Sequence, residues 1–473
     1  MALPTAVAVS PLLLGVAGMS LACSSASEVR AEPGEVYWET TFLDDFDGPA
    51  NASPDADRWQ METGGWGWGN NELQTYTTRP QNVRQDGQGN LVITARRESF
   101  TGGDGIQRDY TSARIKTQDR FTQTFGRFEM RAKLPSGQGV WPAFWMLGED
   151  IVKVGWPQCG EIDIMEHVGH EPGRVHGTIH GPGYSAGDSI GNSFTLPGGQ
   201  VFEGTFHTFA VEWTPNRIQW FVDGQLFQTR SPASLGGRDW VFDHDHFLLL
   251  NLAIGGFWPG EPDATTVFPR QYIVDYVRAS ERFRETRPGI DNASFTDDDT
   301  AWQLGGNASV QNHNPSASPM RITRDGQGDS ALKLFGTFAG GAETTASQAY
   351  LRVTPGKPHV ASAFFRTNSD DAIAGTNNRV VLRVEWFDGY DQKLGEAEHV
   401  VMDGDSPVDQ WQPGNVPFTP TEGANYATVS IVFDQPTSAG GAVWVDDVRY
   451  EQSRRANQER KSDSTRPRPR PAD

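Results

Sequence analysis

At 473 residues the chain is long enough for two or three domains, and 60 Asp and Glu against 40 Lys and Arg give it a formal net charge of −20 at pH 7. That balance argues against nucleic acid and other phosphate-rich partners. The 52 Gly, 30 Pro and many short Val, Ile, Phe and Trp runs predict an all-β chain, and with only Cys23 and Cys159 there is no internal disulfide framework.

Residues 1–23 form an apolar stretch broken by Pro4 and Pro11, too short and interrupted to span a membrane, which predicts an export signal. Ala22-Cys23 followed by Ser24-Ser25 resembles the lipobox of bacterial lipoproteins, although Ser20 stands where that motif prefers Leu. The expectation is an exported protein, extracellular or held at the cell surface or outer membrane by lipid on Cys23.

From residue 36 to 282 short alternating runs recur, and Trp213 and Trp220 fall at core positions of such runs. The run Glu161-Ile162-Asp163-Ile164-Met165-Glu166 sets three carboxylates among residues that favour extended structure, bracketed by Gly160 and Gly169. On a regular strand Glu161 and Asp163 face one way and Glu166 the other. A β-bulge at Ile164-Met165 returns Glu166 to the shared face, and bulges are common beside active sites. Two carboxylates on one surface suit retaining glycoside chemistry, which needs them about 5 to 5.5 Å apart. Glu161 is then the nucleophile and Glu166 the acid/base, with Asp163 hydrogen-bonding a neighbouring carboxyl to hold opposite protonation states. The competing readings are a solvated acidic edge and a metal site using His167, His170, His176 and His180, which lack helical H-E-x-x-H spacing.

Sugar rings stack their C–H faces on aromatic rings and need polar partners for their hydroxyls. Trp141, Trp145 and Trp258 are the stacking candidates, each with core packing as its alternative; Asn71, Arg114 and His180 are the polar ones. The run Val175–His180 alternates like a strand, with His180 the cleft candidate and His176 the alternative core histidine. Cys159 reads as a small buried hydrophobe.

The blocks Trp66–Gln74, Tyr110–Ile115, Phe125–Arg131, Trp141–Met146, Glu161–Glu166, Phe206–Trp213, Asp223-Gly224, Asn251–Gly260 and Val274–Val277, in that order, resemble glycoside hydrolase family 16, in its bacterial laminarinase branch. The resemblance implies a jelly-roll β-sandwich of the concanavalin A-like type, with retaining endo-hydrolysis of β-1,3 linkages in laminarin-type or mixed-linkage β-glucan. It implies no catalytic cofactor. It also suggests a structural Ca2+, for which Asp45 and Asp275 are oxygen donors that surface placement explains equally well. Rival readings are a sulfated-galactan hydrolase of agarase type, which a cleft rich in Arg or Lys would favour, a transglycosylase, and a non-catalytic glucan lectin or sensor.

Residues 283–289 read as a linker and 290–452 as a second β-sandwich, whose Asn292–Phe295, Pro355–Lys357 and Trp444–Val448 segments look like carbohydrate-binding modules. Trp302, Tyr350, Trp386, Tyr390 and Trp411 are its aromatic candidates. A glucan held there would raise the local concentration of cleavage sites. Residues 453–473, rich in Arg and Pro, read as a disordered basic tail, and a monomer is expected.

Overall fold

The computed structural model describes residues 32–312, 330–336 and 341–453. The export segment with Cys23, and the tail beyond Ser453, lie outside the described residues.

Two antiparallel-rich sheets form the first sandwich. The seven-stranded sheet runs in the order Ile190–Thr195, Arg174–His180, Glu161–Glu166, Val140–Gly148, His246–Ile254, Arg114–Lys116, Gln60–Glu62. Behind it lies a ten-stranded sheet in which Arg270–Arg284 is central, flanked by Gly126–Lys133 and Leu91–Thr101. Neighbours distant in sequence are the mark of a jelly roll, since strands must cross between sheets to pair. The strand Val140–Gly148 shows how sequence directs the layers: Val140, Phe144 and Met146 enter the core, while Trp141 and Trp145 point out of the sheet's other face. Phe128, Ile162, Trp213, Trp220, Leu248 and Leu250 are fully buried between the sheets.

The second sandwich pairs two five-stranded sheets over residues 303–452. Its aromatic candidates sort by position. Trp302 and Trp386 are closed into its core, and Tyr350 and Tyr390 sit where the two sandwiches meet; Trp411 packs half-exposed beside Trp444.

The stretch read as a linker is pinned at both ends. Strand Arg270–Arg284 extends through its first two residues, the Glu285 amide donates to the Glu35 carbonyl at 2.8 Å, and Arg287 bridges to Leu351. The Arg284 guanidinium grips the Asp391 carboxylate, its Nε 3.0 Å from Oδ1, and also donates to the Gly34 carbonyl at 2.7 Å. The Arg282 guanidinium donates to the Gly389 carbonyl at 2.6 Å, and a Cβ on Gly389 would come within 2.0 Å of the Arg282 carbonyl oxygen. A turn of the second sandwich is therefore seated against the last strand of the first.

Candidate active site

The carboxylate strand departs from regular pairing where its parity requires. Against Val140–Gly148, Asp163 pairs Trp145 and Met165 pairs Phe144, so Ile164 is an extra residue. Ile164 and Met165 both turn into the core, and Glu166 rejoins Glu161 and Asp163 on the outer face. A bulge leaves a backbone group without a ladder partner. Here the Asp163 carbonyl accepts from the Trp220 indole N–H at 2.8 Å, reached across the core from the opposite sheet. Gly177 makes that reach possible, because a Cβ there would lie 2.4 Å from the Trp220 ring.

The outer face forms a cleft of about 1140 Å³ crossing the seven-stranded sheet, from Asn192 and Ser193 at one edge to Arg114 and Trp68 at the other. Five strand intervals at about 4.8 Å make that span roughly 24 Å, room for several sugar rings rather than one. Glu161, Asp163 and Glu166 lie along it.

Each glutamate meets one indole. Trp156 Nε1–H donates to Glu161 Oε2 at 2.7 Å, and Trp141 Nε1–H donates to Glu166 Oε1 at 3.1 Å. His180 Nε2 lies 3.1 Å from Asp163 Oδ2 and 3.7 Å from Glu161 Oε1. The Asp163 contact is charge pairing rather than an aligned hydrogen bond, since Oδ2 finds no donor at hydrogen-bond angles. Asp163 therefore engages the His180 imidazole as well as the neighbouring Glu161 carboxyl. The Ala186 amide donates to His180 Nδ1 at 3.1 Å, which in the neutral ring puts the proton on Nε2, facing Asp163.

Burial pushes Glu161 up to about 8, and the Asp163 charge adds to this. Burial and Asp163 raise Glu166 well beyond the ordinary carboxylate range. Glu161 has the shorter indole bond and the closer imidazole, so of the two it gives up its proton first as pH rises, and Glu166 is the one that keeps it. Burial works to lower His180, but the close contact and charge of Asp163, with Glu161 and Glu166, raise it to about 9.

Among the described residues Glu161, Asp163 and His180 form the one group of three potential metal ligands. A nitrogen that holds its proton toward Asp163 cannot also ligate, so the group suits proton chemistry better than an ion. Asp45 and Asp275 lie outside that group: Asp45 is exposed, and Asp275 pairs with Arg131.

Trp141, Trp145, Trp258, Arg114 and His180 all line the cleft. Trp145 donates to Asn251 Oδ1 at 2.7 Å, Asn251 to the Tyr76 hydroxyl at 3.2 Å, and that hydroxyl to Glu72 at 3.2 Å. The Arg114 guanidinium sits between the Trp68 and Trp145 rings, 4.7 and 4.8 Å from their centres. Two expectations need correcting. Asn71 takes a left-handed φ of 58° in an exposed turn, so its neighbours Asn70 and Glu72 reach the cleft and it does not. His176 lines the cleft as well, because residues four apart on a strand share a face. Trp156, in a loop where periodicity is silent, also lines the cleft, as do Trp66, Trp68, Asn70 and Glu72 of the Trp66–Gln74 block.

Residues 70–278 match the family described as glycosyl hydrolases family 16. The chain is 42% identical over 272 residues to a beta-glucanase of Rhodothermus marinus, covering 54% of this chain and 90% of that one. It is 28% identical over 437 residues to a keratan-sulfate endo-1,4-beta-galactosidase of Sphingobacterium multivorum, covering 90% of this chain and 89% of the relative. Among solved structures, the endo-beta-1,3-glucanase of Pyrococcus furiosus shares 44% identity at a TM-score of 0.50, over 52% of this chain and 95% of that one.

Proposed function

Because the chain belongs to glycosyl hydrolases family 16 and is a glycoside hydrolase of the endo-1,3-β-glucanase type, we propose that it cuts internal β-1,3 linkages of laminarin-type or mixed-linkage β-glucan with retention of configuration. Catalysis in this family needs no cofactor. The observation that carries the reading is the bulge, which sets Glu161, Asp163 and Glu166 on one face of a cleft long enough for a polymer.

In the first step the Glu161 carboxylate attacks the anomeric carbon, and the bond from that carbon to the leaving oxygen breaks as Glu166 gives that oxygen its proton. Glu161 is then esterified to the sugar. In the second step Glu166, now a carboxylate, takes a proton from water while the water oxygen attacks the same carbon and releases Glu161. Asp163 and His180 hold the charge beside the nucleophile, and Trp156 fixes its orientation.

A sulfated-galactan substrate would call for free cations. Among the described residues Arg114 is the single Arg or Lys lining the cleft, and its guanidinium pairs with Glu62. We read the protein as an exported monomer, extracellular or lipid-held at Cys23; the apolar segment 1–23 and a polymeric substrate support that location. Transfer of the glycosyl group to a sugar hydroxyl is the competing fate of the ester.

The test is product analysis on laminarin, mixed-linkage glucan, cellulose and agarose with wild type, Glu161→Gln and Glu166→Gln. Release of β-1,3 oligosaccharides by the wild type alone is expected. Cleavage of agarose alone, or undiminished activity in both variants, overturns the reading.

A further inference from the structure

Glu72 lines the cleft, is almost wholly buried, and takes no part in the bond-breaking steps. Its carboxylate stands at the end of a chain of hydrogen bonds that begins at Trp145, the residue paired with Asp163 on the neighbouring strand. Each link fixes the next. An indole N–H can only donate, so the Trp145 ring needs an acceptor at its edge, and Asn251 Oδ1 supplies it at 2.7 Å. With its oxygen committed, the Asn251 amide turns Nδ2 to the Tyr76 hydroxyl at 3.2 Å. That hydroxyl, receiving from Asn251, sends its own proton to Glu72 Oε2 at 3.2 Å. Tyr76 is 1% exposed and Asn251 6%, so water offers them no easy substitute partner.

The far end is locked independently. The Ile254 amide donates to Gln74 Oε1 at 2.7 Å, which sets that side chain, and Gln74 Nε2 donates to Glu72 Oε2 at 2.6 Å. Oε2 thus collects two donors and holds no proton of its own. Burial raises Glu72 above its ordinary value, and a proton gained there goes to Oε1, where the Asn70 amide lies 3.3 Å away. The direction of the chain survives either state. Turning the Asn251 amide over would set N–H against N–H at Trp145, and an acceptor beyond Tyr76 is what keeps it from turning.

We propose that Glu72 is a positioning residue for the sugar-binding wall: by ending this one-way relay, its carboxyl oxygen holds the Trp145 indole in the orientation at which a sugar ring stacks beside Asp163. The Arg114 guanidinium, 4.8 Å from the Trp145 ring centre, braces one face of the ring, and the relay fixes its edge. The proposal rests on the reading of the cleft as a β-1,3-glucan site.

The experiment measures kcat and KM on linear β-1,3-gluco-oligosaccharides for wild type, Glu72→Leu, Glu72→Gln, Tyr76→Phe, Trp145→Phe and the double variant Glu72→Leu with Trp145→Phe. The proteins are also labelled with 5-fluorotryptophan, and the Trp145 fluorine signal is identified by its loss in Trp145→Phe. Glu72→Leu keeps the bulk and removes the acceptor, so KM should rise about tenfold with kcat within about threefold of wild type, and the Trp145 signal should move. Glu72→Gln still offers an oxygen to the two donors and should stay within about threefold of wild type with the signal in place. Tyr76→Phe breaks one link and leaves the packing, so it should raise KM in the same sense even where Glu72→Leu fails to fold. In the Trp145→Phe background, which has no indole N–H to orient, Glu72→Leu should raise KM less than about twofold further. A loss in Glu72→Gln as large as in Glu72→Leu, an undiminished cost of Glu72→Leu in the Trp145→Phe background, or an unmoved Trp145 signal in both Glu72→Leu and Tyr76→Phe overturns the relay. A wild type that cleaves no linear β-1,3 chain overturns the glucanase reading instead, and the fluorine signal then decides the relay alone.

Discussion

In the first sandwich Trp66, Trp68, Trp141, Trp145, Trp156 and Trp258 line a cleft, whereas in the second Trp302 and Trp386 are enclosed in the core and Tyr390 is packed against Phe125 of the first sandwich. Both domains are made from two sheets of alternating strands, so the layered architecture does not account for the difference. What distinguishes the first is one extra residue, Ile164, in one strand. The bulge lets three carboxylates share a face that regular alternation would divide, and Trp141 of the neighbouring strand and Trp156 of a loop supply indole donors to the two glutamates. The second sandwich has a register shift at Gln348 to Leu351 too, but no acidic residue lies across it. A bulge becomes chemistry only when the residues it re-aims are chemical.

The largest expected effect separates the two domains outright. Glu161→Gln or Glu166→Gln should lower kcat by about 10³-fold or more on laminarin, while Trp386→Ala in the second core should lower the melting temperature and leave kcat little changed. Glu161→Gln should also stabilise the protein at alkaline pH. The folded-state pKa of about 8 lies above the ordinary 4.5, so its contribution to stability is full below 4.5 and lost as pH rises through about 8. Glutamine removes that loss, which calorimetry across pH would detect.

A smaller effect isolates the bulge from ordinary core packing. Trp220→Phe keeps the ring but leaves the Asp163 carbonyl without its donor, and kcat should fall about tenfold or more with a lesser change in KM. Trp213→Phe removes an indole bond to the Phe242 carbonyl at 3.1 Å in the same core, and it should cost stability without the fall in kcat. Equal kcat losses in the two variants would mean that the bulge is held by packing alone.

Next in size is a pH effect. His180 lowers Glu161 and Glu166 through its charge, so His180→Gln should raise both and move the acid limb of the kcat/KM profile to higher pH. The smallest effect tests whether the domains act as separate bodies. Asp391→Ala removes the carboxylate gripped by Arg284 and should lower the melting temperature by about 2–4 °C, or split the transition in two, with kcat on soluble substrate retained. An unchanged single transition would show that the seam adds nothing to stability.

The sequence made some of this legible and hid the rest for identifiable reasons. Three carboxylates over six residues can share a face of a strand only through a bulge, so parity alone located Ile164-Met165. Alternation likewise assigned Trp213 and Trp220 to the core. Asn71 was misplaced by one position because a left-handed turn reverses which neighbour faces the cleft, and no local signal marks that turn beyond its Gly and Asn content. Residues 285–287 have a loop's composition, and their pinning comes from residues more than sixty positions away. The network from Trp145 to Glu72 joins three strands that only the fold brings together.

The Trp220 indole reaches from one sheet to the backbone of the other, so the gap between the layers is itself a dimension of the active site. Interiors are close-packed and change volume reluctantly, but heat and engineered voids can widen such a gap. Swelling by a fraction of an ångström would release the Asp163 carbonyl and let the bulge relax while every ladder hydrogen bond survived. Catalysis should then fade on warming before any loss of strand pairing is visible, and hydrostatic pressure too mild to unfold the chain should postpone that fading by squeezing the layers together.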